Sequence, residues 1–459
     1  LPVKILLVSI NRCRNPYPVF PLGISHITGA LRKNGFDVKV IDMGFQDRDL
    51  EPVLRDFNPD YVGLSLRNID DVRIDKTQFF VPELCETVKR VKDVSGAGLI
   101  LGGSAFSLFP EELLEMTGAD YGLMGEAEGS IITLLEVLSG SHGESLSALE
   151  KVPGLIYRQG NIVRKNAPAA FPSSEISIPC RIPEIAGYYL KSSGMLNIQT
   201  QRGCPFTCCY CTYPLIEGKR ARFRPARSVA EDVEDAVRSG AEYLFIVDSA
   251  FNTSNDHVAG ICEEFLKLKV KFEWGCFLRP CNLTQDLMAL MARAGLKHIE
   301  FGSDSFCDSV LESYGKNFTF DDILSSSEMA RKEKIHYSHF LIVGGPGETE
   351  DTLRKSFENS TMLKKTVIFP FTGMRIYPGT PLYAHALKEK YISEPVNLLE
   401  PLFYISPYLT KERIAGMLSE FHQRSCRWAV EDITPEQAKV MESLRERGIK
   451  GPLWEFLAG

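Results

Sequence analysis

Hydrophobic and polar residues along this chain fall into a repeating rhythm that breaks near residue 140. The rhythm opens with Val3 to Ile10, "VKILLVSI", a continuous apolar run of the kind required by a strand buried on both faces. Leu22 to Gly35, "LGISHITGALRKNG", then spaces its apolar residues at helical intervals and stops at a glycine. The cycle repeats through "DVKVIDM", "YVGLSL", a helix over Val81 to Val94, "GLILGG", a helix from Pro110, and "YGLMGE". Strands and helices alternating with short links predict a doubly wound parallel sheet over residues 1–140. Ligands of such sheets sit at the carboxyl ends of the strands, here the loops Asn11 to Pro21, Arg67 to Asp75 and Gly102 to Phe109.

Residues 141–190 lose the rhythm and gather prolines, among them Pro153, Pro168, Pro172, Pro179 and Pro183, which predicts a connector with a small hairpin at "GLIYRQGNIVRK". Over 191–390 strand and helix signals alternate again. Six strand segments, "LNIQTQ", "EYLFIVD", "FEWGCFLR", "HIEFGSDS", "HYSHFLIVGG" and "FTGMRIYPG", predict a partial (β/α)6 barrel. Residues 391–459 read as a helical tail whose main helix is "KERIAGMLSEFHQRSCRWAVEDI".

Composition narrows the function classes. The 459 residues are 44% hydrophobic, with no apolar run long enough to cross a bilayer. Net charge is -7 with acids and bases interspersed, which argues against a nucleic-acid partner. The opening "LPVKILLVSI" lacks the basic lead-in and cleavage site of a leader and reads as a strand, so a cytoplasmic protein is expected. Its twelve cysteines are then thiols, not disulfides. Cys13, Cys85, Cys180, Cys262, Cys276, Cys281, Cys307 and Cys426 stand singly and read as buried spectators.

The other four crowd into "TQRGCPFTCCYCTYP", Thr200 to Pro214. Cys204, Cys208 and Cys211 have the spacing C-x3-C-x2-C directly after the first strand of the second region. Three thiolates from one sharply turning loop suggest an iron-sulfur cluster with one iron free of protein ligands. A structural zinc would want a fourth ligand, and no second C-x2-C or His pair stands at such spacing. Cys209 reads as a spectator, although a frame pairing it with Cys204 stays open.

"CPFTCCYC", with aromatic Tyr210 before its last cysteine, resembles the signature of the radical S-adenosylmethionine (SAM) superfamily. That resemblance implies a partial six-stranded barrel, a 4Fe-4S cluster on Cys204, Cys208 and Cys211, and an open iron that chelates SAM for reductive cleavage to a carbon radical. It also implies SAM contacts from Tyr210, from Asp248 and Ser249 of "FIVDSAF" in place of the usual Gly-Gly-Glu, and from Arg279 of "FLR". Ser303 and Asp304 of "IEFGSDS" are implied for the ribose, and Gly344 and Gly345 of "FLIVGGPGET" for the adenine. "RIYPGTPLY" resembles a sixth-strand end.

The first region, through "PLGISHITGALRKNGFDVKVID", "PDYVGLSL", "GLILGGSAFSLFPEELL" and "DYGLMGEAE", resembles the Rossmann-like cobalamin-binding domain found in one class of these enzymes. The resemblance spans about residues 1–390. It implies cobalamin, with its nucleotide tail at Gly102, Gly103 and Ser104. His26 and Gly29 match part of a D-x-H-x-x-G axial-ligand motif, but Ile24 replaces the aspartate that would orient the imidazole, and His26 lies in an amphipathic helix.

The leading expectation is therefore a radical SAM enzyme transferring a methyl group, with cobalamin, to an unactivated carbon or phosphorus of a small molecule. A reductant such as flavodoxin or ferredoxin is the implied partner. The alternative keeps the cluster without cobalamin and catalyses cyclisation, carbon-carbon coupling or aminocarboxypropyl transfer; a non-catalytic sensor is the third reading. Tyr213, Glu300 and Tyr377 are candidates for the substrate pocket, with packing as the plainer role.

Overall fold

A computed structural model describes residues 2–13, 17–140, 146–160, 162–168, 176–425, 427–429 and 435–456. Cys426 and Pro172 therefore lie outside the described residues, as do parts of the Asn11 to Pro21 loop. The chain divides into two compact units. One comprises Leu1–Asp71, Thr77–Ala186 and Leu215–Gly218; the other comprises Val72–Lys76, Gly187–Pro214 and Lys219–Gly459.

The first unit is one sheet. Its strands are β1 (Lys4–Ser9), β2 (Asp37–Asp42), β3 (Tyr61–Ser65), β4 (Gly98–Gly102), β5 (Tyr121–Leu123), β6 (Leu155–Gln159) and β7 (Ile162–Lys165), in the order β2-β1-β3-β4-β5-β6-β7. The first five run parallel. Ile5, Leu7 and Ile100 share a core with Ile24 and Leu31 of helix Leu22–Lys33 and with Ile131 and Leu134 of helix Glu128–Ser139. Leu6, Val8, Leu99 and Leu101 are buried on the opposite face, as the two-residue period of a strand requires. Both faces are thus covered, which is why these strands read as continuous apolar runs.

Two details depart from the sequence reading. The hairpin expected in a connector is the antiparallel edge of this sheet, with β6 on β5 and β7 on β6. Its Leu155, Ile156 and Tyr157 are buried, so the segment belongs to the core. The loop Gly102 to Phe109 contains a short helix, Ser104–Leu108.

Among the described residues the second unit carries ten further strands. Six form a parallel sheet in the order β15-β14-β13-β12-β11-β8: β8 (Leu196–Ile198), β11 (Tyr243–Ile246), β12 (Glu273–Leu278), β13 (Leu296–Asp304), β14 (His336–Val343) and β15 (Thr366–Thr372). The short pairs are β9 (Gln201–Arg202) with β10 (Arg222–Phe223), and β16 (Met374–Arg375) with β17 (Phe403–Tyr404). Helices stand between successive parallel strands, as in Ala226–Arg238 before β11 and Asn255–Lys267 before β12. The expected six-stranded partial barrel is present.

Its sixth strand starts earlier than "FTGMRIYPG". Thr366–Thr372 pairs with β14, and Met374–Arg375 turns away to β17. Pro370 is tolerated within β15 because that strand is the edge of the sheet, with one side free of a ladder partner. The long tail helix is also shorter than expected. It spans Lys411–Arg424, where Ser425 N closes back on Phe421 O and His422 O. Trp428 then packs fully buried with Phe357 and Phe421, and Trp428 forms an isolated bridge with Ile368. No helix among the described residues is long and apolar enough to cross a membrane.

Candidate functional site

The cysteine loop leaves β9 through Gly203 and ends at helix Tyr213–Ile216. Cys204 is buried, and Cys208, Cys209 and Cys211 are half-buried. Burial pushes the Cys211 thiol up to about 12, and the nearby sulfurs of Cys208 and Cys204 add to the rise. Cys209 is held differently. Its N–H donates to Tyr314 O at 2.9 Å, its carbonyl accepts from Leu382 N at 2.8 Å, and its Sγ lies 4.0 Å from Met374 Sδ. The loop therefore sets the Cys211 thiol near Cys208 and Cys204 and packs the Cys209 sulfur against Met374.

Tyr210 and Asp304 are brought together. The Tyr210 hydroxyl donates to Asp304 Oδ2 at 2.6 Å, and Lys316 Nζ stands 2.5 Å from the same oxygen. Asp304 ends β13 with φ of 61°, a backbone conformation uncommon for a non-glycine residue. Burial, followed by Asp304 and the Cys208 and Cys211 thiols, drives the Tyr210 hydroxyl well above its ordinary pKa. Burial opposes the charge on Lys316, but Asp304 and Cys208 outweigh it and hold the ammonium up to about 12.

Arg279 follows β12 and stacks its guanidinium 3.5 Å from the centre of the Phe206 ring, within the cysteine loop. It donates to Asn317 Oδ1, whereas its buried Nε has no hydrogen-bond partner among the described residues. Together with Asn252, Thr253, Asn255 and Asp256, these two side chains line a cavity of about 270 Å³. Ser249 Oγ is likewise buried without a partner.

The remaining second-unit candidates face inward to the protein. Asp248 accepts from Thr200 N at 2.7 Å, Thr200 Oγ1 at 2.5 Å and Gln201 N at 3.2 Å, tying β11 to the segment that feeds the cysteine loop. Ser303 Oγ meets His339 Nδ1 at 2.8 Å in the core, where burial depresses His339 to about 3. Gly344 N donates to Glu348 Oε2, and Gly345 N to Tyr314 Oη at 3.0 Å. Burial lifts Glu348 to about 7.

The sequence reading also missed a run of phenylalanines. Leu341 and Val343 of β14, and Ile368 of β15, belong to a core shared with helix Lys411–Arg424. Strand alternation turns Phe340, Phe369 and Phe371 to the other side, facing the barrel interior. Phe340 stacks on Phe369 and Phe371 with ring centres 5.1 and 5.9 Å apart, and Phe245 meets Phe277 at 5.0 Å. Phe277 and Phe371 remain 38% and 39% exposed. Of the substrate candidates, Glu300 is buried and accepts from Trp454 Nε1 at 3.0 Å, while Tyr213 is exposed.

In the first unit, Gly102 to Ser104 form the carboxyl end of β4. Ser104 Oγ donates to Arg67 O at 2.9 Å. A Cβ on Gly103, at φ of 99°, would lie 2.4 Å from Leu66 O, so only glycine fits there. His26 is buried, with Nδ1 2.7 Å from Ser177 O, which sets it inside the helix packing.

Residues 198–359 match the family model of the radical SAM superfamily, and residues 11–135 match that of the B12 binding domain. The chain carries a radical SAM domain and a B12-binding domain. As such it is an enzyme. It is 23% identical over 428 residues to the tryptophan 2-C-methyltransferase of Streptomyces laurentii, covering 79% of this chain and 71% of the relative. It is 23% identical over 423 residues to the cytidylyl-2-hydroxyethylphosphonate methyltransferase of Streptomyces wedmorensis, covering 77% and 76%. In fold it resembles the radical SAM methyltransferase TsrM from Kitasatospora setae, solved with cobalamin and a [4Fe-4S] cluster, with a TM-score of 0.87, 22% identity and coverage of 100% and 98%. The cobalamin-dependent radical SAM enzyme OxsB gives 0.72, with 17% identity and coverage of 97% and 71%.

The residues of this radical SAM protein fit the groups its family implies. Ser249 Oγ and Arg279 Nε are buried donors without a partner among the described residues, which a polar ligand would satisfy. The carboxyl end of β4 is the place where doubly wound sheets bind their ligands, and Gly103 there packs its backbone against Leu66.

Proposed function

We propose that this radical SAM protein is a cobalamin-dependent methyltransferase acting on an unactivated carbon or phosphorus centre of a small molecule. The observation that supports the reading is the C-x3-C-x2-C loop, whose Cys211 thiol lies near Cys208 and Cys204, in a chain that has both a radical SAM and a B12-binding domain. When bound, the cluster and SAM supply one-electron bond cleavage and cobalamin supplies the methyl carrier.

In this reading Cys204, Cys208 and Cys211 hold the cluster. Arg279, stacked on Phe206 and with Nε unused, receives the SAM carboxylate, a task that suits a guanidinium fork. Ser249 Oγ serves the SAM amine, and Tyr210 with Asp304 borders the ribose and adenine. Asp248, Ser303, Gly344 and Gly345 act by shaping the strand ends. Gly102, Gly103 and Ser104 admit the nucleotide tail of the corrin. The phenylalanine wall excludes water and offers a flat apolar surface to the substrate. A small-molecule substrate, a flavodoxin- or ferredoxin-type reductant and a cytoplasmic setting complete the reading; nucleic acid has no part in it.

The test is anaerobic cluster reconstitution of wild type and Cys208→Ala, with added hydroxocobalamin, desalting and an optical spectrum. Retained corrin absorbance, with a cluster that vanishes in the variant, is the expected result. A cluster without retained corrin moves the assignment to a cobalamin-independent radical reaction. Absence of any cluster in wild type overturns both.

A further inference from the structure

The segment Tyr314 to Lys316 is pressed against the cysteine loop. Tyr314 O accepts from Cys209 N at 2.9 Å, and a Cβ on Gly315 would lie 2.5 Å from Thr207 O and 3.7 Å from Cys208 Cα. With φ of 74°, Gly315 allows a backbone approach that no other residue permits. The approach delivers the next side chain, Lys316, into the loop. Its ammonium, 6% exposed, reaches the Cys208 thiol, Asp304 Oδ2 at 2.5 Å and the Tyr210 hydroxyl at 3.4 Å.

A buried ion pair by itself explains neither this arrangement nor its cost, because burying two charges is repaid only when further hydrogen bonds are made. The third partner is the sulfur. Asp304 and Tyr210 fix the ammonium beside the cysteine loop, where Cys208 is its third neighbour. We propose that Lys316 sets the reduction potential of the cluster, donating to the Cys208 sulfur from a position fixed by Asp304 and Tyr210. The inference rests on Cys208 being a cluster ligand. Reduction adds negative charge to the cluster, and a fixed cation with an N–H···S bond stabilises that charge more than it stabilises the oxidised form. Lys316 is thus a positioning and tuning residue, and it makes the cluster easier to reduce.

The test is a redox titration of the reconstituted full-length protein followed by electron paramagnetic resonance. K316M removes the charge and keeps the stem, K316Q removes the charge and keeps a donor to Asp304 should K316M fold poorly, and K316R keeps the charge. With wild-type iron content, K316M and K316Q are expected to shift to a more negative potential, with K316R between them and wild type. An unchanged potential in either K316M or K316Q overturns the inference. So does failure of both to assemble a cluster that K316R assembles, since Lys316 then serves assembly alone. If C208A retains its full cluster, the ligand reading and the inference fall together. If C208A loses its cluster while K316M keeps the wild-type potential, only the inference falls.

Discussion

The Tyr210 hydroxyl donates to Asp304 Oδ2 across 2.6 Å and joins residues 94 positions apart, the cysteine loop and the end of the fourth barrel strand. Tyr210→Phe keeps the ring and removes this bond, leaving Asp304 with Lys316 alone. A hydrogen bond to a buried carboxylate is worth about 1.5–3 kcal/mol, so the unfolding temperature is expected to fall measurably in a calorimetric scan. An unshifted transition would show that the bond contributes nothing.

Gly315→Ala tests the close approach to the cysteine loop. A left-handed backbone costs a non-glycine residue roughly 1–2 kcal/mol, and the added methyl meets Thr207 O. Iron retained after reconstitution and desalting should drop relative to wild type. Gly416→Ala is the control, since nothing lies within 4 Å of the added Cβ in helix Lys411–Arg424, and it should keep its iron.

Cys209→Ala and Cys208→Ala separate the two cysteine frames. Cys209 packs its sulfur against Met374, so its loss should leave cluster absorbance near wild type. Cys208→Ala should abolish it. The reverse pattern would assign the cluster to the frame containing Cys209.

Stability should decline on both sides of weakly acidic pH. Burial lifts Glu300 and Glu348 to about 7, so the folded chain holds protons that the unfolded chain has released. Their stabilisation is complete below the unfolded carboxylate pKa, near 4.3, and is lost as pH rises through about 7. His339 acts oppositely. Burial depresses it to about 3, so its contribution is present above the unfolded value near 6.5 and is lost as pH falls. Denaturant midpoints measured across this range should show Glu300→Gln and Glu348→Gln flattening the alkaline limb only.

Arg279→Lys keeps the charge and loses the planar fork that stacks on Phe206. SAM affinity measured by calorimetry on the reconstituted protein should weaken by about tenfold, equivalent to about 1.4 kcal/mol. Unchanged affinity would remove Arg279 from the SAM site.

The fold was legible wherever local patterning coincides with burial. The helix at Val81–Val94 appears with the bounds its spacing predicts, and five of the six barrel strands lie within or beside the segments read for them. Legibility failed where a distant contact decides. Nothing local marks Arg424 as the end of the tail helix, because the stop comes with burial of Trp428 in the core under β15. The hairpin after Leu155 looks like a connector until β5 supplies its partner.

The sequence alone determined the chemistry: three cysteines at C-x3-C-x2-C spacing, with the glycine and proline that flank the first of them, are short-range features written within nine residues. Tertiary structure decided which side chains surround that chemistry. Asp248 accepts from Thr200, and Ser303 meets His339. Lys316 carries no motif, yet Gly315 brings it against the cysteines. The physical reason is that spacing along a chain fixes neighbours only within a turn or a strand. Which buried polar groups satisfy one another is settled when strands far apart in sequence come within hydrogen-bond reach.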